Sequence, residues 1–261
     1  MCEQKALIQA KNLSKTFKLS AKQQRIERTK EQVRIAADNL SFNAYQGEIY
    51  GLLGPNGAGK TTTLRMLATL ISPGSGDALL DGKSVVKEPE AVRSKIGFLT
   101  SELKLEDFFT PNYLFGFFST LQGVPSAVAA KRKDELFTRF GIHEFAEVKV
   151  SELSTGMKQK LSLVISIVHN PDIIIFDEPT NGLDVITAKM VTDYLLELRD
   201  AGKTIILSTH IFSLVEKLCD RVGVIINGRM VADGTLDEVC AGLDLESRFF
   251  ELYVQETGEV A

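Results

Sequence analysis

The segment GLLGPNGAGKTTT, residues 51–63, sets glycines, one lysine and three threonines at a spacing suited to gripping phosphate. Gly54, Pro55, Asn56, Gly57, Ala58, Gly59, Lys60 and Thr61 satisfy G-x-x-x-x-G-K-[ST], and Thr62 follows directly. Glycines let such a loop turn its N–H groups inward around an anion. Lys60 would reach the β- and γ-phosphates of a nucleotide, and the Thr61 hydroxyl would ligate Mg2+. A second group of oxygens ends the run DIIIFDE: Asp177 is placed to hold magnesium, and Glu178 is a candidate general base for an attacking water. His210 ends the run TIILSTH, where its side chain could reach the γ-phosphate and hold base and water in line.

A further anion site is suggested by LSTGMKQKL, residues 153–161. Met157, Leu161, Val164, Ile165 and Val168 recur at the helical period, so a helix begins just after Ser154. Ser154 would cap it, and the free N–H groups and dipole of that end attract negative charge.

These residues need strands and helices to aim them. GEIYG before the loop, DIIIF and TIILST are short, apolar and strand-like, and a helix over about 185–201, stopped by Gly202, separates the last two. Strands alternating with helices predict a parallel sheet with its functional residues at the strands' C-terminal ends. The middle of the chain, about 102–165, reads as helical, and the stretch after Gly242 is polar with weak periodicity.

Composition narrows the class. A net charge of −4 and a pI near 5.6 argue against broad nucleic-acid binding, which needs a basic face. Cys2, Cys219 and Cys240 are scattered, as free thiols in a reducing compartment would be. The N-terminus lacks the apolar core of a signal peptide, and no apolar run is long enough to span a bilayer, so a membrane role would act through a partner.

The order GPNGAGKT, LSTGM, DEPTNGLD, His210 resembles the ABC-type ATPases over nearly the whole chain. The resemblance implies an α/β fold: a P-loop NTPase (RecA-like) core with a parallel sheet, an inserted helical subdomain and antiparallel N-terminal strands. It places the nucleotide-binding domain at 1–240, with the insert at about 102–165, and leaves 241–261 as a C-terminal extension. It implies ATP as substrate with Mg2+, and head-to-tail pairing with a second copy or a related subunit. Ser154, Thr155, Gly156 and Met157 would then form the signature loop that meets the other copy's ATP. Asp184 would be the D-loop residue at the interface, and Phe17 the aromatic stacked on adenine, although the insertion after it lengthens the usual spacing.

Two departures stand out. Thr155 and Met157 replace a glycine and the glutamine of the common LSGGQ. The segment IGFLTSELK lacks the Q-loop glutamine, with Ser101 or Glu102 nearest its position. With the early insertion, these features resemble the NatA-type subunits of sodium-exporter-like systems. They imply an ATPase on the cytoplasmic face of the cell membrane, peripheral through a separate permease, exporting sodium or another substrate. The alternative is a soluble ABC ATPase acting in assembly or regulation without a permease.

Two stretches remain. Residues 18–34 carry Lys18, Lys22, Arg25, Arg28, Lys30 and Arg34 against Glu27 and Glu31. They read as a solvated hairpin or loop, or as a contact for anionic lipid or an acidic partner loop. Within FFTPNYLFGFF, residues 108–118, Thr110 and Pro111 form an N-cap and first-turn pair. Leu114, Phe117, Phe118 and Leu121 are expected along one helix face, with most of the six aromatics in the core. A groove for a partner's short helix is the alternative.

Overall fold

A computed structural model describes residues 5–27, 30–100 and 105–258. The chain opens with β1 (Ala6–Lys18), α1 (Ala21–Glu27), β2 (Val33–Tyr45), β3 (Ile49–Leu53) and α2 (Lys60–Leu67). β4 (Ser75–Leu80), β5 (Lys83–Ser84), α3 (Pro89–Arg93) and β6 (Ile96–Leu99) follow. The helical middle holds α4 (Pro111–Leu121), α5 (Ser126–Phe140) and α6 (Thr155–Ser166), with two 3-10 turns between the last pair. The chain then alternates β7 (Ile173–Asp177), α7 (Val185–Asp200), β8 (Thr204–Thr209), α8 (Phe212–Leu218) and β9 (Arg221–Ile226). It ends with β10 (Arg229–Thr235), α9 (Leu236–Cys240) and α10 (Leu245–Thr257).

Among the described residues the strands form two sheets. One is antiparallel, in the order β2-β1-β4-β5. The other, in the order β10-β9-β3-β8-β7-β6, is parallel except for its β10 edge. The expected parallel core and antiparallel N-terminal strands are both present. Parallel strands are buried on both faces, and the pleat sends alternate residues to two different cores. Ile49, Leu53, Ile174, Phe176, Ile205 and Leu207 pack toward the helical middle and α8, while Tyr50, Leu52, Ile173, Ile175 and Ile206 pack toward the antiparallel sheet and α2. Neither core alone would hold the strand ends in place; together they clamp the sheet from both sides.

Three sequence expectations need correction or refinement. Residues 18–27 and 30–34 belong to the end of a long hairpin that carries α1; Lys18, Lys22, Arg25, Lys30 and Arg34 are exposed, and Arg28 lies outside the described residues. The stretch after Gly242 is not irregular: Asp244 caps α10, whose Leu245, Phe249 and Leu252 are buried, with Phe249 against Phe212 of α8.

The third concerns α4. Thr110 caps it as expected, accepting from the Tyr113 N–H at 3.2 Å. The buried face, however, is Leu114 and Phe115, with Phe118 half-buried, whereas Phe117 and Leu121 face solvent together with Phe108 and Tyr113. Three of the six rings, those of Phe108, Tyr113 and Phe117, are therefore exposed, and Phe115 alone is fully buried. The cause is Phe115, whose ring meets Phe137 of α5 edge-on, and Ser119, which can be buried because its hydroxyl donates to the Phe115 carbonyl at 2.7 Å.

Candidate nucleotide site

β3 is buried along its whole length and delivers the chain to Gly54 at the C-terminal edge of the sheet. A side chain at Gly54 would strike the Ile225 carbonyl at 2.2 Å. One at Gly59, whose φ is 107°, would strike the Ala36 carbonyl at 2.0 Å. Glycine is thus required where the loop leaves the sheet and where it enters α2. Gly59 has no side chain to cap α2, so the first-turn N–H groups remain turned toward the loop's hollow.

Lys60 is buried in that hollow. Its Nζ donates to the carbonyls of Gly54 at 2.7 Å and Pro55 at 3.2 Å, and lies 3.6 Å from Glu178 Oε1. Burial draws its pKa below the ordinary lysine value, while the Glu178 and Asp177 carboxylates oppose that shift. The loop thus holds the ammonium in place before any phosphate arrives.

Asp177 ends β7 and is buried; its Oδ1 accepts from Thr61 Oγ1 at 3.0 Å and from Ser208 Oγ at 2.5 Å. Ser208 stands beside Asp177 in the β7–β8 register, and it also accepts from the Glu178 N–H, at 3.2 Å through its carbonyl and 3.1 Å through its hydroxyl. One serine therefore fixes both acids. Sequence reading missed it, because only the β7–β8 register sets this hydroxyl beside Asp177. Glu178 itself has φ 51°, an uncommon conformation for a residue with a side chain. His210 Nδ1 lies 3.0 and 3.1 Å from the two Glu178 carboxylate oxygens. Both partners are acceptors, so the nitrogen facing them must carry the hydrogen.

A cleft of about 380 Å³ reaches Lys60, Thr61 and Glu178, and its lining adds Phe17, Lys18, Leu19, Arg34, Ala36, Asn56, Gly57, Gly59 and Thr62. Phe17 is 40% exposed and carries the Lys15 ammonium 5.7 Å from its ring centre, which covers one face of the ring. The structure thus gathers the expected loop, both acids, His210 and Phe17 at one end of the sheet.

Among the described residues no group of three or more His, Cys, Asp and Glu side chains could hold a metal. The Thr61 and Asp177 oxygens, 3.0 Å apart, instead offer a partial set of hard ligands. That suits Mg2+, which completes its shell with water and substrate phosphate rather than an all-protein cage. The residues fit the ion.

Ser154, Thr155, Gly156 and Met157 do not line the cleft. Ser154 caps α6 as expected, accepting from the Met157 N–H at 3.3 Å, and is exposed with Thr155. Leu161, Val164 and Ile165 bury the other end of α6, and Val168 lies beyond its last turn. Asp184 caps α7, accepting from the Ile186 and Thr187 N–H groups at 3.0 Å each. A side chain at Gly156 would come 3.8 Å from Asp184 Oδ2, so the signature and D-loop candidates are neighbours on one outer surface. Ser101 and Glu102, nearest the Q-loop position, lie outside the described residues.

A protein-family model described as ABC transporter matches residues 37–181. The ABC transporter ATP-binding protein NatA of Bacillus subtilis is 37% identical over 211 residues, covering 80% of this chain and 86% of NatA. The Nod factor export ATP-binding protein I of Ralstonia nicotianae is 38% identical over 202 residues, covering 77% of this chain and 63% of that one. A bacterial ABC transporter cassette solved as a dimer superposes with a TM-score of 0.76 at 25% identity, covering 88% of this chain and 98% of the cassette. The chain belongs to the ATP-binding subunits of ABC transporters, and it is an ATPase of that family.

Proposed function

We propose that this chain powers an exporter whose membrane-spanning permease is a separate protein, and that two cassettes close around ATP. The observation that carries this reading is the pair of exposed helix ends at Ser154 and Asp184, furnished for contact yet outside the chain's own cleft. Val185 and Ile186, next to Asp184, are 86% and 78% exposed, an apolar surface suited to covering by a second subunit.

Within the cleft each residue has a task. Phe17 stacks on adenine, the loop from Gly54 to Thr62 wraps the phosphates, and Lys60 meets their terminal charge. Thr61 and Asp177 hold magnesium, which when bound neutralises charge on the phosphates. Glu178 takes a proton from water as the water oxygen bonds to the γ-phosphorus and the bond to ADP breaks. His210, hydrogen-bonded to both Glu178 oxygens, holds that base in line. Ser154 and Gly156 of a second copy supply the missing wall beyond the γ-phosphate, so hydrolysis loosens the dimer and closure becomes a stroke the permease can use.

Segment 102–165 is the subdomain on which the permease docks, which places the chain at the cytoplasmic face of the membrane. Rings of Phe109 and Tyr113 stack at 4.3 Å and those of Tyr113 and Phe117 at 6.3 Å, and this exposed ladder suits a short helix of the permease. The Nod factor export relative supports export; sodium is one substrate implied by the resemblance of the sequence to NatA-type subunits.

The test is dimerisation. Glu178→Gln should bind ATP without hydrolysing it and run as a dimer on size-exclusion chromatography. Adding Ser154→Arg should return it to monomer while single-site ATP binding survives. Equal dimerisation of the single and double mutants would remove the second copy from the site.

A further inference from the structure

We propose that Arg34 is a further nucleotide-binding residue, whose guanidinium meets the ribose and α-phosphate between the base and the terminal phosphates. This rests on the nucleotide-site reading above and assigns a residue outside every motif in it.

The hairpin register comes first. Phe17 and Arg34 are direct cross-strand partners in the β1–β2 ladder. Directly opposed residues project from the same face with their Cβ atoms about 5 Å apart. The ring and the guanidinium therefore enter the cleft side by side, and both line it. The pairing continues through Lys18 and Val33, and the Leu19 N–H donates to the Gln32 carbonyl at 2.9 Å. The charged excursion through α1 thus leaves and rejoins the sheet in register, returning Arg34 to the side of Phe17.

Position along the cleft comes second. Arg34 Nη2 donates to the Gly57 carbonyl at 3.2 Å, and a side chain at Gly57 would meet that nitrogen at 2.9 Å. The guanidinium thus lies across the middle of the phosphate loop. Lys60 is held farther in, by the Gly54 and Pro55 carbonyls and Glu178. A nucleotide with its base on Phe17 and its last phosphate at Lys60 must pass its ribose and first phosphate beside Arg34.

Chemistry comes third. A guanidinium is a permanent cation whose N–H donors are set in a rigid fork. A phosphate oxygen is a stronger acceptor for a cation than a neutral carbonyl, and a guanidinium can grip it with two parallel bonds. The Gly57 contact holds the guanidinium at the middle of the loop, within reach of the path the phosphates take. Because every adenine nucleotide has an α-phosphate, Arg34 should strengthen ATP, ADP and AMP alike, whereas Lys60 should favour the longer chains.

Isothermal titration of ATP, ADP and AMP with magnesium, on wild type and Arg34 variants, tests this. Arg34→Ala should weaken all three about tenfold, the scale of one charge-assisted hydrogen bond. KM for ATP should rise by a similar factor with kcat unchanged. Arg34→Lys should recover part of the affinity because it restores charge. Arg34→Gln, which can still donate to the Gly57 carbonyl, should behave like Arg34→Ala. Recovery by Gln rather than Lys would make Arg34 a support for the loop and overturn the proposal. So would wild-type affinity in Arg34→Ala, or a loss that grows with each added phosphate. Absence of nucleotide binding by the wild type would instead overturn the site itself, and this assignment with it.

Discussion

Helices α2 and α6 both begin beside glycine-containing loops, and both first turns are candidates to meet phosphate, yet they are built differently. The α2 end has no side-chain cap and is walled by Lys60, Thr61, Asp177 and Glu178. The α6 end satisfies one of its own N–H groups through Ser154 and stands in solvent. An uncapped end faced by a cation and two acids is a site that one chain supplies except for the wall proposed to come from a second copy. A capped, exposed end is stable alone and gains a ligand only when another molecule brings one. The asymmetry sets one nearly enclosed end against one open end, which is the division the proposed head-to-tail pair requires.

The comparison can be broken most severely at Lys60. Lys60→Ala removes the cation held by the Gly54 and Pro55 carbonyls inside the phosphate loop, and hydrolysis should fall by about three orders of magnitude or more, the scale of a lost transition-state donor with its binding energy. ATP turnover under saturating nucleotide is the measurement. A turnover within tenfold of wild type would show that the α2 end is not where the terminal phosphates sit.

Gly59→Ala comes next and acts on the same end through the backbone. The added methyl must occupy a φ of 107° and meets the Ala36 carbonyl at 2.0 Å, so the loop has to shift against β2. A loss of about 3–5 kcal/mol is expected, within the range of severe backbone conflicts. Chemical denaturation should register it, accompanied by loss of ATP binding. A change under about 1 kcal/mol would mean that β2 yields to the loop more easily than its buried packing implies.

The two ends also differ in how far they could be read from sequence. The phosphate loop was legible because its chemistry lies within eight consecutive residues whose conformations dictate glycine. Asp177, Glu178 and His210 were legible because each ends an apolar strand. Ser208 was not, since a serine in an apolar run gains meaning only from the β7–β8 register that sets it beside Asp177. Arg34 was hidden in a run of charges, because its contact with Gly57 spans 23 positions. The inward face of α4 was misassigned for another reason. PNYLFGFFSTL is apolar nearly all round, so periodicity gives a helix without a phase, and α5 decides that Phe115 turns in and Phe117 out.

A smaller effect belongs to the capped end. Ser154→Ala removes the acceptor of the Met157 N–H, a bond of 3.3 Å, and should lower stability by about 0.5–1 kcal/mol. In a chain of this size that is about 2 °C in melting temperature. The α2 end offers no equivalent, because its cap is glycine. An unchanged melting temperature would mean that water replaces the hydroxyl without loss and that Ser154 is kept for a ligand alone.

A change in stability of similar size but opposite sign, and the sharpest test of the half-site, is Gly156→Ala. Gly156 lies in the first turn of α6, outside the left-handed region, and an added methyl would find its nearest neighbour, Asp184 Oδ2, at an ordinary 3.8 Å. Replacing glycine by alanine at an accommodating helical position should stabilise the free subunit by about 0.5–1 kcal/mol. A gain is thus expected from the packing of this chain alone. The same methyl would stand where a partner's phosphate must approach the helix N–H groups, so ATP-driven dimerisation in the Glu178→Gln background should be lost. Thermal melting reads the first effect and size-exclusion chromatography the second, and at Gly59 the two move together while at Gly156 they should move apart. A Gly156→Ala protein that dimerises with ATP as readily as its parent would place no phosphate within a methyl's reach of α6, and the half-site would then have to lie elsewhere on that surface.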